Sequence, residues 1–294
     1  MTLNDSKDCR HAYREILQGH SHVEEKDLYV KHFKEFDLGE LEYLYKKCEK
    51  KLQEKGIDSE REKLKFLEEE EYWVEAEEVQ YLERKLAVQD AYIFRDKLVD
   101  PVQRENFKQV IEEQEKKLKA IHDLRHELVE PTIEGFCEKK LSEHYVQKAL
   151  FKDSDLKEPL ISPEEFENIS FIELSELVKI YNNCANKFSQ KNVDRIAVNS
   201  FFLNPFMMSD NDPVKFYGTS VLDLTLYQLN LYSKGKYYKS VLEEGKDPPS
   251  HLYELIDKDG LDPIVGWFDT SYNQIRAERE RSNAASARQR ATGR

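Results

Sequence analysis

Apolar residues recur at helical spacing along much of this chain. Leu38, Leu41, Leu44, Cys48 and Leu52 follow one another at intervals of three and four, which marks one helical stripe. Gly56, Ile57 and Asp58 interrupt it. Asp58 or Ser59 is placed to cap a second helix, with Glu60 and Glu62 in the first turn where the helix dipole favours carboxylates. That helix is expected to run through Leu64, Leu67, Val74, Leu82, Leu86 and Ile93. Pro101, with Asp100 as its cap, opens a third through Phe107, Ile111, Leu118, Ile121, Leu124 and Leu128. Pro131 opens a fourth through Ile133, Phe136, Leu141 and Tyr145. No glycine lies between Gly56 and Gly135. The stripes are narrow and the other faces heavily charged, with four consecutive carboxylates at 68–71. Such helices form a hairpin or bundle, form a coiled coil, or wait for a partner. Residues 38–150 are therefore read as an acidic helical arm, either an intramolecular hairpin or an intermolecular coil.

The flanking segments differ. Residues 1–37 form a polar lead-in, with short helices expected around 12–17 and 28–36. Residues 151–198 form a helical linker region. There Ser162, Pro163 and Glu165 make a capping box, and an amphipathic helix over 170–187 carries Ile172, Leu174, Leu177, Val178, Ile180 and Tyr181. Residues 199–275 are denser in aromatic and apolar positions. The pattern predicts a helix from Ser220 to Tyr232 closed by Gly235, a short helix at 237–242, a break at Pro248 and Pro249, and a last helix opened by Asp262 and Pro263. Ser209 to Pro213 read as a turn or helix cap. Residues 276–294 have helix propensity but no face to bury, and are expected to be disordered or to fold on a partner. The fold class is thus all-α: an extended helical arm, a compact aromatic helical domain and a flexible basic tail.

Composition narrows the function. The 294 residues are 35% charged, with 45 Lys and Arg against 58 Asp and Glu, a formal charge of −13. An acidic balance argues against general nucleic-acid binding, which needs clustered cations. The exception is the tail, where six Arg face two Glu from Arg276 onward. No apolar run is long enough to span a bilayer, so no membrane association is expected. The N-terminus lacks the apolar core of a signal peptide. Cys9, Cys48, Cys137 and Cys184 form no CxxC and read as reduced thiols of a cytoplasmic protein.

Candidate chemistry is sparse. His122 and His126 have the i, i+4 spacing of a helical metal pair, but no Glu follows His122 and no third ligand is near in sequence. The simpler explanation is two exposed helical histidines, and the alternative is a metal-dependent enzyme using them. Cys9, His11, His20 and His22 fit no common zinc spacing. Residues 255–260 fail as a calcium loop, because Leu255 stands where the first acidic ligand belongs. No catalytic residue, cofactor site or metal site is assigned. Phe201, Phe202, Phe206, Met207 and Met208 either fill a core or form an adaptable docking surface. With Tyr227, Tyr232, Tyr237 and Tyr238, and with Arg276, Arg279, Arg281, Arg288 and Arg290 of the tail, they are the candidate partner contacts.

A set of residues at 200–275 carries a resemblance. It comprises Asn204, Pro205 and Phe206; Phe216, Tyr217 and Gly218; Val221 to Thr225 with Tyr227 and Gln228; Tyr232; Tyr237, Tyr238, Val241 and Leu242; Pro248 and Pro249; and Asp262 to Trp267. This resembles small helical proteins of tailed bacteriophages that assist tail or virion assembly, the tail assembly chaperones and related morphogenesis factors. The resemblance implies a non-enzymatic protein–protein interaction role in the host cytoplasm or the virion, holding tail or virion subunits or binding itself. A structural tail or baseplate component is the alternative it also allows.

Overall fold

The computed structural model describes residues 6–97, 101–256 and 260–292. The expected Asp100 cap lies outside them. In chain order the first helices are α1 (Ser6–Gln18), α2 (Glu35–Glu54), α3 (Glu60–Glu69), α4 (Glu75–Lys97), α5 (Pro101–Val129), α6 (Ile133–Ala149) and α7 (Pro163–Glu167). They are followed by α8 (Phe171–Lys187), α9 (Gln190–Ala197), α10 (Ser200–Met208), α11 (Pro213–Tyr217), α12 (Leu226–Glu243), α13 (Ser250–Glu254) and α14 (Asp262–Thr292). The chain is predominantly α-helical. Among the described residues three short strands accompany the helices: β1 (His20–Val23), β2 (Leu28–Lys31) and β3 (Leu150–Phe151), paired antiparallel in the order β1-β2-β3. Two compact units result, one of Leu41–Ser142 and the other of Met1–Glu40 with Glu143–Arg294.

Within Leu41–Ser142, α4 and α5 form an antiparallel hairpin. Tyr81 meets His122, the Tyr92 hydroxyl donates to Glu115 at 2.5 Å, and Phe94 packs on Phe107 at 5.1 Å between ring centroids. The single helix expected from 60 through 93 is broken. Glu71 takes a left-handed φ of 58°, and Trp73 turns inward with Leu67, Tyr81 and Val129. Because the bend resets the helical register, Tyr81 and Val88 are buried on α4, and Leu82, Leu86 and Ile93 are exposed. Ser59 closes the expected cap, a capping box with Glu62.

Arg125 clamps this unit. Its guanidinium donates to both carboxylate oxygens of Glu78, at 2.8 and 2.9 Å, and to Glu60 at 2.5 Å. It also lies over the Tyr81 ring, 4.9 Å from the centroid. Burial disfavours the Glu78 charge, but Arg125 and the Trp73 Nε1–H outweigh it and hold the carboxyl below its usual range. One arginine from α5 thereby ties α3 and α4 together.

In the other unit, residues 28–31 are a strand where a helix was expected. Leu28 and Val30 are buried and Tyr29 and Lys31 are half-buried, the period of two that a strand imposes. They pack with Phe33, Val146, Ala149, Leu150 and Cys184. Nor are residues 1–37 a separate lead-in. Cys9, Ala12 and Ile16 of α1 join the main core with Phe188, Val193, Ile196, Phe202, Phe206, Tyr238 and Phe268. The basic tail, expected to be disordered or to fold on a partner, is helical here: α14 continues through it as far as Thr292, in keeping with its Ala-rich helix propensity.

Gly235 is not a helix end. It lies inside α12, where an added Cβ would stand 2.8 Å from the Phe206 ring and 2.9 Å from the Phe202 ring. The expected helices at 220–232 and 237–242 are therefore one continuous helix, preceded by a 3₁₀ turn over Val221–Asp223 and capped by Thr225. Charged seams tie it to its neighbours. Lys234 of α12 reaches Asp194 of α9 at 3.1 Å and Asp269 of α14 at 3.4 Å, and Arg195 binds Asp262 at 2.6 Å.

Two outcomes follow for unfolding measurements. Gly235→Ala is expected to lower stability by about 1–3 kcal/mol through overpacking, more than its helix-propensity gain of about 1 kcal/mol. Arg125→Met is expected to cost about 1.5–3 kcal/mol, the range for hydrogen bonds to charged groups. Urea unfolding followed by circular dichroism reads both, and an unchanged midpoint contradicts either one.

Candidate functional site

The predicted partner contacts do not gather on one surface. Phe202, Phe206 and Tyr238 are fully buried, and Tyr232 is buried with its hydroxyl donating to the Asn211 carbonyl at 2.5 Å. The expectation that they face a partner is corrected: all four belong to the main core, with Phe202 and Phe206 closing on Gly235. Phe201 is half-buried against Tyr13 and beneath the Arg10 guanidinium. Met207 is half-buried and Tyr237 stacks on Tyr272 at 3.7 Å between centroids. Met208 is 82% exposed. Tyr227 packs against Phe188 and His32. Arg276, Arg279 and Arg281 are exposed, with Arg276 paired to Glu280 and Arg279 to Glu244. The side chains of Arg288 and Arg290 lie outside the described residues.

Two features absent from that prediction stand out. The first is an exposed aliphatic line on α4. Val79, Leu82, Leu86 and Ile93 follow at spacings of three, four and seven, on a different face from buried Tyr81 and Val88, and each is 46–59% exposed. Leu124 on the antiparallel partner helix α5 is also exposed.

The second is a buried polar chain. Glu15 of α1 is buried, as are Ser21 of β1 and His32 just after β2. The Ser21 hydroxyl donates to Glu15 Oε2 at 2.7 Å and lies 3.0 Å from His32 Nε2. Lys187 from the end of α8 donates to Glu15 Oε1 at 3.1 Å, and His11 lies 3.2 Å from the same oxygen. Burial, with smaller contributions from His20 and Lys187, pushes the His32 imidazole down to about 3. The order His–Ser–Glu is not that of a nucleophilic triad, in which His stands between Ser and the acid. Here the Ser21 proton points at the carboxylate, so the arrangement does not activate Ser21.

His32 also lines a pocket of about 130 Å³, together with Phe33, Tyr145, Tyr181, Cys184, Phe188 and Tyr227. Its Nδ1 is buried and meets no hydrogen-bonding group among the described residues. The ring is set edge-on to Phe188 and Tyr227 at 4.7 and 4.9 Å between centroids. Burial raises the Tyr181 and Tyr227 hydroxyls and the Cys184 thiol, so all three stay neutral at pH 7. The strand pattern was the available signal, since His32 shares the inward face of Leu28 and Val30.

The His122–His126 pair stacks at 6.1 Å between centroids, with His122 Nδ1 3.3 Å from the Tyr81 hydroxyl. Among the described residues no group of three or more His, Cys, Asp or Glu is arranged to hold a metal. Likewise no helix among them is long and apolar enough to cross a membrane. The fold thus defines a predominantly helical protein of two compact units, one inserted in the sequence of the other. No family model, curated protein or solved structure matches the chain.

His32 links this site to pH. Its ordinary value is 6.5, restored on unfolding, and its folded value is about 3. Between these, the unfolded chain binds the extra proton, so stability falls as pH falls through this window. The wild type is expected to lose stability more steeply than His32→Phe between pH 6 and 4, by about 1 kcal/mol per pH unit. Parallel slopes in urea unfolding series contradict this.

Proposed function

We propose that the chain is a non-enzymatic assembly factor that binds a helical segment of a client protein along α4. The observation that supports binding is the line Val79, Leu82, Leu86 and Ile93, about half exposed on one face. Water-exposed aliphatics in helical register mark interaction surfaces, because each gains about 1–2 kcal/mol when a partner covers it. An amphipathic client helix laid against α4 presents apolar anchors at the same spacing. The identity of the client comes from the resemblance to tail assembly chaperones. On that reading it is a tail or virion subunit, held in the cytoplasm of an infected host cell until it is built in.

The test pairs Leu82→Glu with Leu86→Glu in one variant. Both positions are exposed, so the circular dichroism spectrum and unfolding midpoint are expected to stay unchanged. Wild-type bait from infected cells is expected to capture tail or baseplate subunits, and the double variant to lose at least about 90% of them, as two lost anchors imply. Equal capture by both baits rejects the α4 surface. Capture of no virion subunit by either rejects the assembly role. A stable symmetric oligomer in light scattering, dissolved by the same substitutions, replaces the chaperone with a structural virion component.

A further inference from the structure

We infer that the helix docking on α4 is basic as well as amphipathic: the flank it lays beside Glu83 and Asp90 carries Lys or Arg. This rests on the docking reading above and adds the charge that selects the partner.

The exposed line has the spacing of a two-helix seam. Val79, Leu86 and Ile93 stand seven apart and Leu82 follows Val79 by three, the first and fourth places of a heptad. A helix packed on such a seam is read by the residues on its two flanks. One flank of α4 is already engaged within the hairpin. Glu78 and Tyr92, each one residue before a seam position, bond to Arg125 and Glu115 of α5. Lys85, between them on that flank, is exposed. The other flank is open. Glu83 and Asp90, each four residues after a seam position, are exposed, and no Lys or Arg stands three or four residues from either. Neither forms an ion pair among the described residues. Glu75, four residues before Val79, adds a further exposed carboxylate at the start of the line.

Charge complementarity follows from that asymmetry. A helix covering the seam brings one of its own flanks within reach of Glu83 and Asp90. Carboxylates there meet like charge at the edge of a desolvated seam, which works against the pairing. Lys or Arg pairs with both, lays its methylenes along the apolar line and keeps its charge in water. Lys85 favours the opposite sign on the far flank, one cation against the three carboxylates. Two occupants from this chain itself fail the same test. A second α4 sets Glu83 against Glu78 when parallel and against Glu83 or Asp90 when antiparallel, carboxylate to carboxylate in either case. The Arg-rich tail has the charge without the anchors, since its only apolar residues from 276 to 292 are alanines.

The experiment titrates the full chain with two labelled three-heptad peptides that share one apolar seam, Ile at the first place of each heptad and Leu at the fourth. One carries Lys at both flanking positions and the other Glu, so that neither pairs with itself. Fluorescence anisotropy at about 50 mM salt is expected to show the Lys peptide binding at least about fivefold more tightly, as two exposed ion pairs in place of two like-charge contacts imply. The ratio is expected to fall towards one at about 1 M salt, where charges are screened within about 3 Å. Glu83→Lys with Asp90→Lys is expected to reverse the preference and leave the circular dichroism spectrum unchanged. Leu82→Glu with Leu86→Glu is expected to lose both peptides. Should the lysine variant fail to fold, the wild-type ratio and its salt dependence decide alone. Equal binding of the two peptides, abolished by the leucine substitutions, overturns the charge rule and leaves the docking surface standing. Binding of neither peptide, or binding that the leucine substitutions leave intact, overturns the docking reading and the proposal together. Dimerisation of the chain through the same leucines in light scattering overturns the proposal in favour of a second copy.

Discussion

Glu15 has to leave water for α1 to pack, and a carboxylate tolerates that only when its oxygens are bonded. It draws its partners from three places: His11 one turn earlier, Ser21 in β1 and Lys187 at the end of α8. Each bond fixes something further. Ser21 orients His32, and His32 sets the wall of the pocket against Phe188 and Tyr227. The same end of α1 is held from the other side, because Gln228 donates to the Ile16 carbonyl at 2.9 Å and closes the Thr225 capping box with its amide oxygen. The start of α12 is thereby tied to the end of α1, and Leu226 N–H donates to the Phe33 carbonyl at 2.8 Å beside it. A stretch that reads as a polar lead-in is, for this reason, a structural part of its unit.

The local signals in the sequence carried well. Ser59, Ser162 and Ser170 each precede an acidic residue by three, and each forms the capping box that spacing implies. Asp212 caps α11 and Asp262 begins α14 at the expected places. The failures share a cause, which is distance. Whether Gly235 ends a helix or admits two rings depends on Phe202 and Phe206, some thirty residues away in sequence. Glu15 and Lys187 are 172 positions apart, and nothing local to either announces the pair. The α4 stripe failed differently. A helical register carried from Leu64 through the bend at Glu71 selects the wrong face, because the left-handed residue there resets the phase.

His32 stood between the two cases. Leu28, Val30 and His32 alternate with Tyr29 and Lys31, which is strand period over too few residues to outweigh the helical reading of its neighbours. Read as a strand, that alternation places an imidazole on a buried face, the position where a polar ring needs a partner at both nitrogens. The fold supplies one through Ser21. The other nitrogen, Nδ1, is buried without a hydrogen-bonding partner among the described residues.

The inserted unit solves its packing with few residues. Trp73, Tyr81, Leu67 and Val129 form its core cluster, and Arg125 bridges α3 and α4 through Glu60 and Glu78. None of this involves Leu82 or Leu86. Their exposure is therefore not a defect of an under-packed hairpin, since the hairpin is closed on its other face. Four aliphatic residues held in register on a helix already anchored elsewhere cost solubility and contribute little to the unit's own stability. Charged neighbours such as Glu83 and Lys85 offset the first cost, and the partner helix proposed above would account for the second. The same division explains why the aromatic-rich segment at 201–238 made a poor candidate interface. Its rings are consumed in the core, Phe202 and Phe206 directly against Gly235, whereas Leu82 and Leu86 of the acidic arm stay exposed.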